Sequence, residues 1–279
     1  MHRVLLALVL SLPLTFACSA PVEDDGVTGG AAITSTTTAT ASLDSVHRLR
    51  ADRLVSVFEN STIEIQYDYV EDINDGRGYT AGRGFTTATG DVLSVTQDYL
   101  QSAPNDPLAL YVPELQRLAD AESSDTSNLQ GFPDAWKAAA QTEAMKAAED
   151  REVDRSSYEP ALAHARALGI HTSLALAELY DAVVMNGDGD DADGVPALIH
   201  AATSRAGGTP KAGVSEHKWL QSFLTVRRAD LAHAHDPETR KEWAKAVSRV
   251  DVFSDLLAAG NDDLDGPIHV GREFDIDVP

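Results

Sequence analysis

From Leu43 onward the apolar positions recur at helical spacing. Val46, Leu49, Leu54 and Val57 fall on one face of a segment that Asp44 or Ser45 can cap, which predicts a first helix. At about 100° per residue, Glu59 lies roughly opposite that stripe and points toward solvent or a cleft. The pattern then changes. Residues 76 to 90 carry Gly76, Gly78, Gly82, Gly84 and Gly90 among threonines and aromatics, which predicts a short β region with tight turns. Beyond it the helical period returns. Helices are predicted over Val92 to Leu100 behind Asp91, Pro133 to about Glu149, and Pro160 to Leu168 closed by Gly169. Thr172 to Met185, Val195 to Ala206, Glu216 to Ala234 and Pro237 to Ser248 follow. One small sheet with many helices predicts an α+β, mainly α-helical domain.

The N-terminal residues do not share this periodicity. Residues 1–20 read as a signal peptide: His2 and Arg3, an apolar run from Val4 to Leu14, then small residues around Ala17. The run is too short to span a bilayer as a helix. Cys18, the only cysteine, sits where a bacterial lipoprotein is cut and acylated, so lipidation and plain secretion both stay open. No disulfide is available after that point. Residues 21–42 are rich in Thr, Gly and Ala and read as a flexible linker, which leaves 43–279 as the folded domain.

Charge narrows the partners. The formal net charge of -22 should repel phosphate backbones and anionic membrane surfaces. It excludes nucleic acid as the expected partner and leaves no membrane contact beyond a possible lipid anchor. It favours a polycation, although solubility alone would also explain it.

Two carboxylates then stand out. Glu59 closes the first predicted helix, and Asp75 sits on a glycine-rich turn 16 residues later. Hydrolysis of a glycosidic bond uses one carboxyl to protonate the leaving oxygen and a second to activate water. Each residue also has a plainer reading. Glu59 suits a solvated helix end, and Asp75 before Gly76 suits a turn former.

The surrounding residues decide between these readings. Glu59-Asn60-Ser61, Tyr69-Val70-Glu71-Asp72, Asp75-Gly76-Arg77-Gly78-Tyr79-Thr80 and Thr89-Gly90-Asp91 occur in that order. The string resembles the chitosanases of glycoside hydrolase family 46. Weaker similarity continues through Tyr180 to Met185, Phe223 with Arg227, and Gly260-Asn261 with Leu264. The resemblance implies a two-lobed, lysozyme-like fold with a small antiparallel sheet in the N-terminal lobe and a cleft between lobes. It implies endo-hydrolysis of β-1,4 bonds between glucosamine units of chitosan, with inversion. Glu59 would be the general acid, Asp75 the general base, and Thr80 would help hold the water. Arg77, Asp91, Tyr69 and Asp181 would serve substrate binding, with Asp91 meeting a glucosamine amine. Arg77 could instead pair with Glu59 or orient neighbouring carboxylates. Asp181 is also implied in a charge network behind the acid, with Arg227 and, on a looser match, Arg240. No cofactor or metal is needed for this chemistry, and a monomer is expected. Ile65-Gln66 stand where familiar members carry a longer tract with a tryptophan. Ala81 and Arg83 replace glycine or small apolar residues.

Other features invite chemistry without completing it. Asn186 to Gly194 is an acidic loop that lacks the glycine and the closing glutamate of a calcium loop. It reads as a surface facing a cationic polymer. His233 and His235 lack further ligands in the sequence around them. Trp136 fits a sugar platform or core packing equally. Gly-x-Ser-x-Gly and His-Glu-x-x-His are both absent. Two rival functions remain: a lysozyme-like peptidoglycan hydrolase, and a non-catalytic chitosan-binding surface lipoprotein.

Overall fold

The computed structural model describes residues 42–279 apart from Glu238. The expected signal peptide and nearly all of the linker therefore lie outside the described residues. The first helix, α1 (Ser45–Asn60), is capped by Asp44, whose side chain accepts the N–H groups of Val46 and His47. Its buried face differs from the expected stripe. Val46 and Leu49 are exposed, and Ala51, Leu54 and Val57 carry the core contact together with Asp52 and Ser56. A polar residue buried on a helix shifts the apparent apolar face. Here Asp52 is buried because it accepts Tyr180 Oη, Arg83 Nη2 and Arg48 Nε.

Three short strands follow: β1 (Val70–Asp72), β2 (Tyr79–Ala81) and β3 (Phe85–Thr86). They pair antiparallel in sequence order, with Glu71 opposite Thr80 and Thr80 opposite Thr86. The β1–β2 turn holds Asp75. Gly78 on that turn has φ +76, and a Cβ there would stand 2.3 Å from Thr87 Oγ1. Only glycine meets both conditions.

Helices α2 (Asp91–Ser102), α3 (Val112–Asp120), α4 (Phe132–Ala139) and α5 (Glu143–Val153) complete the first lobe around this sheet. The single helix expected from Pro133 to Glu149 is two, because Thr142 leaves the helical conformation and caps α5 through Met145 N–H. Gly90, at φ +89, takes the N-cap of α2, and Asp91 is its first residue. A π-helical turn over residues 154–158 carries the chain onward to α6 (Glu159–Leu168).

The second lobe packs α7 (Ser173–Asn186) against α1, α6, α8 (Val195–Ala206) and α11 (Val247–Ala258). Helix α9 (Glu216–Ala232) lies on both α8 and α11. The helix expected from Pro237 to Ser248 is instead the single turn α10 (Arg240–Trp243), followed by a 3-10 turn and then α11. Strands β4 (Ile268–Val270) and β5 (Ile276–Val278) close the chain against α1. The architecture is the mainly helical α+β one predicted.

Candidate active site

Glu59 sits in the last turn of α1, where the helix meets the second lobe. Its side chain is 12% exposed and lines a recess, so of the two expected directions, solvent or a cleft, it takes the cleft. Arg249 on α11 places Nη2 2.7 Å from Glu59 Oε1, a close ion pair without hydrogen-bond alignment. The same nitrogen lies 2.8 Å from Asp181 Oδ1, and Arg249 Nε lies 3.0 Å from Asp181 Oδ2. Arg227 Nη2 reaches Asp181 Oδ2 at 2.7 Å, and its Nη1 stands 3.0 Å from Glu178 Oε1.

Helix periodicity builds this network. Glu178 and Asp181 are three apart on α7 and share one face. Both are fully buried, as is Arg227. Burial alone would raise the Asp181 carboxyl, but the guanidiniums of Arg249 and Arg227 reverse this and hold it below the usual range. Burial raises Glu59, with Arg249 pulling the other way and losing. Glu178 is also raised by burial against the pull of Arg227. Three carboxyls therefore share two guanidiniums, and the group approaches neutrality when one carboxyl keeps its proton.

Asp181 therefore belongs to the charge network. It is buried behind Glu59, which corrects the expectation that it touches substrate. Arg227 takes its expected place. Arg240 does not: its Nε donates to Ala234 O at 2.6 Å and its Nη2 to His235 O at 3.1 Å, so it clamps a loop. Arg249 fills the role instead.

Asp75 and Arg77 meet each other. The Arg77 backbone N–H donates to Asp75 Oδ1 at 3.0 Å, and Nε donates to Oδ2 at 2.9 Å, with Nη2 on the same oxygen. Arg77 thus orients Asp75 and does not pair with Glu59. Thr80, in the middle of β2, is 1% exposed, and its Oγ1 has no hydrogen-bond partner among the described residues. A buried hydroxyl without a partner is costly, and a bound water or ligand would satisfy it. Tyr69 Oη donates to Glu71 Oε2 at 3.0 Å on the exposed side of the sheet.

A recess of about 110 Å³ opens between the lobes. Its lining includes Glu59, Asp91, Arg83, Tyr180 and Ser156, and also Ile65 and Gln66 from the segment that departs from the family pattern. Asp91 is raised by burial and steadied by the Thr89 hydroxyl at 2.7 Å. Arg83 is held by Asp52 at 2.8 Å and Asp150 at 2.6 Å, so the replacement of a small residue there comes with its own counter-charges. Glu149 lies beneath: its Oε2 accepts the Arg83 N–H, and a Cβ on Gly82 would stand 2.1 Å from that oxygen. Trp136 is fully buried and donates Nε1 to Tyr67 O, so it packs the core.

Sequence reading missed Arg249, Glu178, Asp52 and Glu149. The signal for Glu178 was its spacing of three from Asp181 on an apolar helix. Arg249 belongs to a helix that was not predicted, where it precedes Val250, Val252 and Phe253.

Residues 53–268 match the profile of Glycosyl hydrolase family 46. The chain is 49% identical over 237 residues to a chitosanase of Bacillus subtilis, covering 85% of this chain and 86% of that one. It is 36% identical over 275 residues to a chitosanase of a Streptomyces species, covering 95% and 92% of the two. Among solved structures, a mutant Bacillus subtilis chitosanase complexed with 6 GlcN superposes with a TM-score of 0.79 at 47% identity, over 85% of this chain and 100% of that one. A family 46 chitosanase from Gynuella sunshinyii in complex with chitotetraose gives 0.78 at 42% identity, over 85% and 99%. With its two-lobed, lysozyme-like helical fold and small sheet, the chain belongs to glycoside hydrolase family 46.

Proposed function

We propose that the protein is an endo-acting chitosanase that hydrolyses β-1,4 bonds between glucosamine units with inversion. The observation that carries this reading is the Glu59 carboxyl. It is buried, raised above its ordinary range, and held from behind by Arg249. A general acid must keep its proton near the working pH, and desolvation supplies that. Glu59 donates the proton to the leaving glycosidic oxygen. Asp75, oriented by Arg77, takes a proton from the attacking water, and the orphaned Thr80 hydroxyl supports that water. In an inverting pair the carboxyls stand roughly 6.5–9.5 Å apart to admit the water. Asp91 in the recess offers a carboxylate for a substrate ammonium.

The net charge of -22 supports a polycationic substrate. It disfavours peptidoglycan, whose walls carry anionic polymers. Export is part of the proposal and rests on the leader-like residues 1–20 alone. Mass spectrometry of the N-terminal peptide from the native host separates lipidation of Cys18 from plain cleavage.

NMR of the first products tests the reaction. Chitosan should release reducing ends with an early α anomer, and peptidoglycan should release none. An early β anomer would overturn inversion, and release from peptidoglycan alone would overturn the substrate.

A further inference from the structure

Two features that the hydrolysis does not use come together in the second lobe. Asp193 lies near the end of the acidic loop between α7 and α8, Asp230 is in the last turn of α9, and His235 follows that helix. One oxygen of each aspartate and one ring nitrogen of the histidine lie within 4.8 Å of one another. His235 Nδ1 is 2.6 Å from Asp193 Oδ1 and 3.9 Å from Asp230 Oδ1. The aspartate side chains are 7% and 5% exposed and the imidazole is 70% exposed, so the cluster opens to solvent on the histidine side.

The donors are held in place. Asp193 Oδ1 accepts the His235 backbone N–H at 2.9 Å, and its Oδ2 accepts the Asp236 N–H at 3.1 Å. Asp230 Oδ2 accepts Asn186 Nδ2 at 3.1 Å. The Asp230 carboxyl also meets that of Asp193, and its Oδ1 stands 3.9 Å from the imidazole. Two adjoining carboxylates thus share one imidazole at the protein surface.

We propose that Asp193, Asp230 and His235 form a binding site for a divalent transition-metal ion of the zinc class, apart from the catalytic recess. One imidazole and two carboxylates suit such an ion, and three protein ligands leave a coordination position open toward water. Calcium wants six to eight oxygens, more than this cluster presents. The role is a structural clamp. Asn186, which holds Asp230, also donates to Asp193 O at 3.1 Å and accepts Arg227 Nε at 3.1 Å. The ion would therefore brace the junction of α7 and α9 from which Arg227 reaches Asp181.

Calorimetric titration of untagged, metal-stripped protein with Zn²⁺, and separately with Ca²⁺, tests this near neutral pH. One equivalent of Zn²⁺ should bind with a Kd of about 10 μM or tighter. Binding should weaken at least tenfold in Asp230→Asn and in His235→Gln. The second variant alters an exposed side chain and so keeps the test independent of folding. Zn²⁺ should also raise the thermal midpoint of the wild type and leave that of His235→Gln unchanged. Absence of stoichiometric zinc binding, undiminished binding in both variants, or tighter binding of Ca²⁺ would each overturn the proposal.

Discussion

Arg249 Nη2 stands 2.7 Å from Glu59 Oε1, and through this contact α11 of the second lobe grips the end of α1. The arginine lowers the Glu59 pKa while burial raises it. Replacing Arg249 with Met removes only the lowering influence. The alkaline limb of the kcat profile should then move to higher pH, because the acid holds its proton longer. The change also strips a partner from buried Asp181, so the fold should lose about 3–5 kcal/mol in urea unfolding. An alkaline limb that moves to lower pH would contradict the assignment of Glu59 as the acid under Arg249 control.

Thr80 separates stability from chemistry. Its buried hydroxyl satisfies nothing among the described residues, so Thr80→Val should leave the unfolding midpoint unchanged or raised. If the hydroxyl supports the attacking water, kcat should still fall about 100-fold. Steady-state kinetics beside a urea titration checks both at once. Loss of stability with normal kcat would contradict the role.

Glu149 makes the fold pH-sensitive. Burial raises its pKa from 4.5 to about 9, against the pull of Arg83. The sign follows from linkage: a raised carboxyl adds stability that is complete below the unfolded value and is lost as pH rises toward the folded one. Stability should therefore decline between pH 4.5 and 9, by about 3 kcal/mol at pH 7 from this residue. Glu149→Gln should flatten that decline, read as unfolding free energy at several pH values across this range. An equal slope in the variant would contradict it.

The candidate residues were easier to read in the sequence than the residues that support them. Glu59, Asp75, Arg77 and Thr80 stand out as candidates because local strings hold them, and the Gly78 turn needs glycine wherever it occurs. Helices α6 to α8 were legible from their caps, such as Thr172 and Gly169. The rest depends on distant packing. Val46 and Leu49 read as core because periodicity weighs apolar residues, yet the buried face of α1 runs through Asp52. Arg240 and Arg249 are both arginines near predicted helices. Only the break at Trp243 and the restart at Val247 decide which one reaches Asp181. Asp193 and His235 are 42 residues apart in sequence, so neither the acidic loop nor the histidine pair announced the other.

The central claim is that Glu59 delivers the proton to the leaving oxygen. The most direct measurement is the initial rate of reducing-end release from chitosan by wild type and by Glu59→Gln, at matched folding judged by circular dichroism. The account predicts a fall in kcat of about 1,000-fold or more with KM little changed. A variant within threefold of wild type would contradict it.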